Sequence, residues 1–537
     1  GGGGGGGGGT ENDNGSNGSD SSVSSSGYGR NRFPKHYDPG GDARTAMSAR
    51  AVANALWGFA TLGRRPSPAA WKALERTMIR TSDTMNAHDV CNVWWSYVTL
   101  ESSPSLPAAR DALEAATARL TRTMASKDVA NVTWALSMLP RDAPPPQEST
   151  LTAIERAEVR LAGSMRARDV ASALLGHATN AGRRRRLSTA SGADAWDSLS
   201  DAVGRVGHEM SYEDVSNILW AHAVIGASPS EGAVRAIERA IVRLGGGGGG
   251  GGPIVVAPKE TSNVFYAYAR LGLDPGDDAL KALDAAVETS ASSMNAQACS
   301  ITLWSVVALA ATRGTRLPGC YVTLWDAASK LDPASFLDAN WCAFFHASMI
   351  HAELLEARDD GDDGDDGGGG GEMRALLRAA RANYPAWLES DAKAEWRKNV
   401  LDDVDVSRLH LSASATLAEL RVQHEIEVLT DDELFSLDVY LPEHDVVLEV
   451  DGPSHYVGGG PGDHGPGERR RSPSTELRDA FLSRRHRGLA CVPFFEWEAL
   501  EGRAQRRAYL AGKLRAAGVD LDPSLGASYP EEARRDA

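Results

Sequence analysis

The stretch Val90-Cys91-Asn92-Val93-Trp94-Trp95 decides the fold, because related versions of it recur along the chain between Arg50 and Leu303. Seven copies are present, and each centres on an Asn or a Ser: Asn54, Asn92, Asn131, Ser172, Asn217, Asn263 and Ser300. Their intervals of 38, 39, 41, 45, 46 and 37 residues are typical of repeats built from a helical hairpin. The sequence therefore predicts a mainly α protein, with an α-solenoid of helical hairpins at residues 44–350.

The copies also carry the signals of helix starts. Five have an acidic residue three positions before the centre, where we expect the helix N-cap: Asp89, Asp128, Asp169, Asp214 and Glu260. Apolar residues then recur at helical spacing, and a turn containing proline leads to a second helix such as Pro107 to Met124. We expect loop insertions at Arg183 to Arg186 and Gly245 to Gly252 to cause the two longest intervals. Asn340, 40 residues after Ser300, is compatible with a degenerate eighth copy.

The segments outside the repeats differ in composition. Residues 1–43 are rich in Gly, Ser and Asn and nearly free of apolar side chains, which predicts disorder. We expect an Asp/Gly linker at 357–372, a helical connector at 373–420 and a disordered tail at 517–537. No initiator Met is present, so we expect the start to be truncated or misassigned and a targeting peptide to be hidden. The longest apolar stretch, Ile301 to Ala311, is too short to span a membrane.

Charge and cysteine usage bear on the partners. The net charge of −16 argues against a nucleic-acid partner, because phosphate binding relies on Lys and Arg. However, six aspartates lie in one run from Asp359 to Asp366, and residues 44–245 hold 24 basic against 20 acidic side chains. The repeats are thus mildly basic in their first part. The cysteines have no spacing suited to zinc or disulfides, which predicts buried thiols in a reducing compartment: Cys91, Cys299, Cys320, Cys342 and Cys491.

Residues at equal positions in the repeats form columns on stacked hairpins. Four positions before the centre, five copies have a basic residue or a histidine: Arg50, His88, Lys127, Arg168 and Lys259. This column either follows a phosphate backbone beside helix N-termini or is a solvated flank neutralised by the adjacent acids. The central column, including Asn92, Asn131, Asn217 and Asn263, either forms a hydrogen-bonded ladder between repeats or reads RNA bases. Three positions further on, Trp57, Trp95, Trp134 and Trp220 are expected in the core.

The pattern changes to alternating strands near the C-terminus. Strands are predicted at 426–428, 435–441, 446–450 and 489–494, with helices at 477–486 and up to Leu514, which together indicate a small α/β module at 421–516. Carboxylates at the ends of adjacent strands can hold Mg²⁺, so Asp438, Glu449 and Asp451 are candidate metal ligands and candidate catalytic residues. His455 is a candidate acid or base. The alternative is that these acids cap and pair within a binding fold.

The module resembles the RAP domain. The resemblance lies in Glu-Val-Asp-Gly-Pro-Ser-His-Tyr from Glu449 to Tyr456, in Thr475-Glu476-Leu477-Arg478 and in Val-Pro-Phe-Phe-Glu-Trp from Val492 to Trp497. The repeats resemble the octotricopeptide type that accompanies RAP domains in algal and other organellar RNA factors, with FAST-kinase-like proteins as animal relatives. The RAP fold is in turn similar to PD-(D/E)XK nucleases, which places Asp438 and Glu449 where the metal-binding acids would be. Asp451 stands where a catalytic lysine is usual, and Arg478 or Arg484 could substitute.

The resemblance implies a sequence-selective factor for single-stranded RNA, in chloroplast or mitochondrion, that acts in RNA processing, stability or translation. No kinase activity and no cofactor are implied. RNA contacts are expected from the two columns and from Arg484 and Arg485, with Arg469 to Arg471 as a further phosphate contact or a solvated loop. Two alternatives remain open: a Mg²⁺-dependent endoribonuclease that uses the module, and a protein-binding scaffold of a ribonucleoprotein.

Overall fold

A computed structural model describes residues 47–184, 190–245, 256–359, 369–402, 407–457 and 470–521. The disorder predicted for residues 1–43 lies outside these ranges. The described chain is mainly helical and has a small sheet near its C-terminus, so the coarse fold prediction is confirmed. No helix in the described segments is both long and apolar enough to cross a membrane.

Helical hairpins make up the first part. They pair α1 (Ala49–Thr61) with α2 (Pro68–Thr81), α3 (Ala87–Thr99) with α4 (Pro107–Leu120), α5 (Ser126–Met138) with α6 (Glu148–Leu161), α7 (Ala167–Arg184) with α8 (Ala190–Val206), α9 (Tyr212–Ile225) with α10 (Glu231–Gly245), α11 (Pro258–Leu271) with α12 (Asp277–Ser290), and α13 (Ala296–Arg313) with α14 (Cys320–Ser329). The odd-numbered helices pack on one another in one row, and the even-numbered helices in a second row.

Both rows continue beyond residue 350. Helix α15 (Asp338–Asp359) packs on α13 and helix α16 (Gly369–Arg381) packs on α14. These two helices extend into both ends of the predicted 357–372 linker, whose middle lies outside the described residues. Helix α17 (Asp391–Asp402) then packs on α15, and α18 (Arg408–Glu419) leads to the sheet, so the predicted connector is helical.

The acidic residues of the repeats occupy the third helical position and not the N-cap. The backbone N–H of Asn86 donates to Asp89 Oδ2 at 3.1 Å, and that of Ser211 donates to Asp214 Oδ2 at 2.9 Å. In return, the side chains of Asn86 and Ser211 accept from the backbone N–H groups of those acids, which completes capping boxes. The sequence prediction was wrong by three positions because the acid caps the helix from inside its first turn.

Arginines on the second helices tie consecutive hairpins together. Near the end of its helix, each of four arginines donates from Nη2 to a carbonyl oxygen in the preceding hairpin: Arg119 to Met85 at 3.2 Å, Arg160 to Thr121 at 2.7 Å, Arg205 to Met165 at 2.7 Å and Arg243 to Met210 at 2.7 Å. These carbonyls lie where helices end and lack helical partners. The periodic arginines are therefore structural, a role that the sequence analysis did not assign.

A four-stranded sheet forms the centre of the C-terminal part. Strands β1 (Glu425–Leu429), β2 (Ser436–Leu441) and β3 (Val446–Asp451) are antiparallel neighbours, and β6 (Gly488–Pro493) pairs in parallel with β3. A separate short pair joins β4 (Tyr456–Val457) to β5 (Arg470–Arg471). Helix α19 (Pro473–Arg485) precedes β6, and α20 (Phe494–Glu498) and α21 (Gly502–Ala516) follow it. All four predicted strands are present within about two residues.

The sheet shares its core with the helical rows. One apolar cluster extends from α5 to α17 and includes Phe435 just before β2, Leu437 in β2 and Phe481 on α19. A second cluster packs Val439, Leu448 and Val450 against α18 and α21. Val519 and Leu521 join the second cluster, so the first residues of the predicted 517–537 tail are packed. The remainder of that tail lies outside the described residues.

The five cysteines are unpaired. Cys91, Cys299 and Cys320 are buried, as predicted, whereas Cys342 and Cys491 are half-buried. Burial raises the pKa of Cys299 to about 12.

Candidate nucleic-acid interface and acidic cleft

The three columns predicted from the repeats lie on one side of each first helix. In α3, His88, Asn92 and Trp95 are spaced i, i+4 and i+7, and this spacing places them on the same helical face. The same positions are filled by Arg50, Asn54 and Trp57 in α1, by Lys127, Asn131 and Trp134 in α5, and by Lys259, Asn263 and Tyr266 in α11. We call the surface formed by these four triplets, with Arg168 and Ser172 of α7 and Asn217 and Trp220 of α9, the repeat face.

The basic members of the repeat face are exposed. Arg50, Lys127, Arg168 and Lys259 all lie at the second position of their helices, beside the N-terminal backbone N–H groups. Arg50 Nε lies 3.9 Å from Asp89 Oδ1, yet the Arg50 side chain remains 68% exposed. A solvent-exposed ion pair of this kind contributes little to the stability of the protein and leaves the Arg50 guanidinium available to a phosphate.

The tryptophans of the repeat face are more exposed than the sequence predicted. Trp57 is 39% exposed, and Trp95, Trp134 and Trp220 are half-buried. The fully buried ring in α3 is Trp94, whose Nε1 donates to Thr117 Oγ1 at 3.0 Å. The prediction that the +3 tryptophans belong to the core is confirmed only in part. Trp134 and Trp220 pack against the apolar clusters, whereas Trp57 lies on the outer face of its helix with the central Asn.

The central column is partly a ladder between repeats and partly solvent-facing. Asn263 Nδ2 donates to Ser216 Oγ of the preceding repeat at 3.4 Å, while Asn92 Nδ2 lies 3.2 Å from His88 Nε2 within its own helix. Asn131 is exposed, and Asn217 is half-buried. The predicted bond between repeats is thus present at Asn263, and base reading by the exposed Asn131 stays a prediction.

The seventh and eighth copies were aligned incorrectly by the sequence analysis. Asn92 is the sixth residue after the N-cap of its helix, whereas Ser300 is the fifth after Asn295 and is buried. Asn340 is the third residue after Leu337, and its Oδ1 accepts from the Leu337 backbone N–H at 3.0 Å, as the repeat acids do. Asn340 Nδ2 also lies 3.4 Å from Ser300 Oγ.

An aromatic column continues from the repeat face toward the sheet. The rings of Tyr266 and Trp304 are 6.3 Å apart, Trp304 Nε1 donates to His346 Nδ1 at 3.1 Å, and His346 lies 5.0 Å from the ring of Trp396. His346 and Trp396 line a cleft of about 1080 Å³, which is also lined by His410, Asp438 and Arg478. The column thus ends at the cleft, which we call the acidic cleft.

Glu449 and Asp438 meet on adjacent strands, as predicted, but an arginine lies between them. Arg478 Nη2 is 2.7 Å from Glu449 Oε2 and 3.9 Å from Asp438 Oδ1. Glu449 is buried, and burial raises its pKa to about 7; Arg478 lowers this pKa, while the negative charge of Asp438 adds to the rise. Burial alone would raise the pKa of Asp438. His410, the hydrogen bond from the Val450 N–H and the charge of Arg478 together lower this pKa below its usual value.

Asp451 belongs to a separate, closed network. It is buried and pairs with Arg471, with Tyr456 OH at 3.2 Å and with His455 Nδ1 at 3.1 Å. Burial would raise the pKa of Asp451, but His455 and Arg471 lower it below the usual value. His455 lines the acidic cleft, whereas Glu449 and Asp451 do not.

The predicted Mg²⁺ ligands therefore do not fit a shared ion. Mg²⁺ needs carboxylate oxygens that are free to face it and space for its waters. The oxygens of Glu449 and Asp451 face Arg478 and Arg471 instead. Of the predicted set, Asp438 alone lines the cleft.

Two residues that sequence reasoning missed lie beside Asp438. His410 of α18 has Nδ1 3.0 Å from Glu427 Oε1 and Nε2 3.4 Å from Asp438 Oδ2. Its pKa is raised, mainly because Asp438 accepts a hydrogen bond from it. Glu427 of β1 has a φ of 52°, a left-handed conformation that is unusual for a residue with a Cβ.

Arg484, Arg485 and Arg470, which were predicted to contact RNA, interact with other residues of the protein. Arg484 pairs with Glu353 of α15. Arg485 lies 5.2 Å above the Phe435 ring and 3.6 Å from Asp432 Oδ2. These two side chains stabilise the junction between α19 and its neighbours. Arg469 lies outside the described residues, and Arg470 Nη2 donates to Ser228 Oγ at 3.3 Å.

No protein-family model matches this chain, and no curated protein matches it significantly.

Proposed function

We propose that this protein is a sequence-selective factor that binds single-stranded RNA along the repeat face. In this proposal the two helical rows are an α-solenoid of octotricopeptide type, and the C-terminal part is a RAP-like module that adds contacts at one end of the strand. By the same resemblance, the factor acts on organelle transcripts, in chloroplast or mitochondrion, through processing, stabilisation or translation.

The observation that carries the proposal is the triplet of a cation or histidine, an amide and an aromatic ring that recurs on the same face of α1, α3, α5 and α11. Each member suits a different part of a nucleotide: the cation faces a phosphate, the amide can donate to and accept from a base edge, and the ring can stack on the base. Single-stranded RNA exposes all three parts, whereas an A-form duplex hides the base faces. The repeat face therefore suits a single strand better than a duplex.

The charge of the face sets the expected salt dependence. Arg50, Lys127, Arg168 and Lys259 are the four exposed residues of the basic column that are charged at neutral pH. For a single strand each phosphate contact contributes a slope of about −0.7 in log K against log salt, so four contacts predict about −3. A ribonucleoprotein scaffold that binds only proteins would have no such slope.

Cleavage of the RNA by the module has less support. The carboxylates of Glu449 and Asp451, on which the nuclease alternative depends, are paired with arginines. We therefore assign the RAP-like module to binding and positioning.

The test is a titration of fluorescently labelled single-stranded RNA with the full chain at several salt concentrations. Changing Lys127, Arg168 and Lys259 together to Ala should weaken binding about 100-fold at 0.1 M salt and reduce the slope by about 2. The matched control changes Lys72, Arg156 and Arg239 to Ala, since these are exposed residues of second helices. The proposal fails if both triple variants bind equally well, or if the natural chain has no RNA affinity at low salt.

Base reading needs a different substitution. Asn131→Ser keeps a hydrogen-bonding group but shortens it, and should change the preferred RNA sequence more than the overall affinity. Selection of RNA from a random pool with both proteins would measure this difference.

A further inference from the structure

The acidic cleft contains one group of side chains with the chemistry of a metal site. His410, Glu427 and Asp438 come from α18, β1 and β2, and one ligand atom of each lies within 4.8 Å of the others. Their side chains are 12%, 12% and 16% exposed, and all three line the cleft of about 1080 Å³. They are thus held by packing yet open to a small solute.

The distance between two of these groups fits a shared ion. Ligand atoms about 2.1 Å from a tetrahedral ion lie about 3.4 Å from each other. His410 Nε2 and Asp438 Oδ2 are 3.4 Å apart. Asp438 Oδ2 accepts from the Val450 backbone N–H at 2.7 Å, which fixes the carboxylate and leaves that oxygen a second lone pair.

Glu427, the third group, is placed to orient the His410 ring. His410 Nδ1 faces Glu427 Oε1 at 3.0 Å, on the side of the ring opposite to Asp438. Histidines that bind metals commonly donate their other ring N–H to a carboxylate, and this bond fixes the tautomer and the ring orientation. Glu427 supplies that bond here.

The local charge also favours a divalent cation. In the register of β1 and β2, Glu427 lies opposite Asp438, between the pairs Ile426–Val439 and Val428–Leu437. Glu449 lies on the other side of Asp438, next to Leu448, which pairs with Val439. Carboxylates that lie opposite each other on neighbouring strands destabilise a sheet unless cations separate them. Arg478 lies between Asp438 and Glu449, while only the imidazole of His410 lies between Asp438 and Glu427.

We propose that the acidic cleft binds a divalent transition metal ion of the Zn²⁺ class, with His410 Nε2 and Asp438 Oδ2 as direct ligands and Glu427 holding the imidazole. Imidazole nitrogen favours Zn²⁺ or Co²⁺ over Mg²⁺, which prefers oxygen. Water or an oxygen of a bound solute completes the coordination. This site differs from the predicted set of Asp438, Glu449 and Asp451, and it does not depend on RNA binding.

The test uses Co²⁺ as a spectroscopic probe of the full chain, followed by competition with Zn²⁺. We expect visible d–d absorption that saturates with about one Co²⁺ per chain and is removed by Zn²⁺ but not by Mg²⁺. His410→Gln and Asp438→Asn should abolish the absorption. Glu427→Gln should weaken Co²⁺ binding about 10- to 100-fold, as loss of an orienting carboxylate does.

Two matched variants guard against nonspecific effects. His424→Gln removes a neighbouring histidine that instead bonds Ser414 Oγ and the Val422 carbonyl, and Asp451→Asn removes an acid of the competing ligand set. Both should keep the absorption, and far-ultraviolet circular dichroism confirms that each variant is folded. The proposal is overturned if the natural chain gives no saturable Co²⁺ spectrum, if folded His410→Gln keeps it, or if Asp451→Asn loses it.

Discussion

Replacing Glu449 with Gln should remove one defined contribution to the pH dependence of stability. The Glu449 side chain is 2% exposed, and burial raises its pKa from 4.5 to about 7. A carboxyl whose pKa is raised in the folded state stabilises that state at low pH, and this stabilisation is lost as the pH rises through 7. From these two pKa values, the loss between pH 5 and pH 8 is about 2–3 kcal/mol. The amide of the Glu449→Gln variant does not titrate, so this contribution disappears from its stability.

The assay is urea unfolding of the natural chain and of Glu449→Gln at pH 5, 6, 7 and 8, followed by tryptophan fluorescence. The difference in unfolding free energy between the two proteins isolates Glu449 and the groups coupled to it. It should change by about 2–3 kcal/mol across this range, in the direction that makes the variant relatively more stable at pH 8. Glu443→Gln, in the exposed turn between β2 and β3, is the control for loss of a carboxylate. If the unfolding free energies of the natural chain and Glu449→Gln change in parallel with pH, Glu449 does not have a raised pKa in the folded state.

Two further pairs of substitutions test packing and the repeat face. Gly488→Ala should lower the thermal unfolding temperature, because its Cβ would overlap the carbonyl oxygen of Ala517; the cost is about 1–3 kcal/mol or more. Gly512→Ala, with nothing within 4 Å of the added Cβ, should instead stabilise α21 slightly, and equal effects would contradict the packing argument. Trp95→Ala should weaken RNA binding by about 1–3 kcal/mol while preserving the fold. Trp94→Ala, which empties a buried site, should destabilise the chain by about 3–5 kcal/mol, and a reversal of these two effects would refute the assigned orientation.

Local periodicity explains what the sequence could predict. The recurring phrase specifies helices because its apolar residues follow the helical period, and the alternation of buried Leu437, Val439 and Leu441 in β2 specifies a strand. The approximate bounds of the hairpins and of all four sheet strands followed from these patterns. The side of the helix that carries Trp95 did not, because tryptophan is apolar enough to be assigned to the core by residue type alone.

Contacts between distant segments explain what the sequence could not predict. His410 and Asp438 are brought together by the packing of α18 on the sheet, and no local pattern links them. Likewise, Arg478 reaches Glu449 because helix α19 packs against the sheet beside β6. Ser300 was misaligned for a simpler reason. Its residue type fits the central position of the repeat, but it lies five residues after its N-cap, Asn295, whereas Asn92 lies six residues after Asn86.

The most direct test of RNA binding along the repeat face is photocrosslinking of thiouridine-substituted single-stranded RNA to the full chain, with the modified residues mapped by mass spectrometry. We expect crosslinks at the aromatic residues of the first helices, spaced by whole repeats, at Trp57, Trp95, Trp134, Trp220 and Tyr266. Crosslinks confined to the second helices, or an absence of crosslinks under conditions in which the RNA is bound, would contradict this expectation.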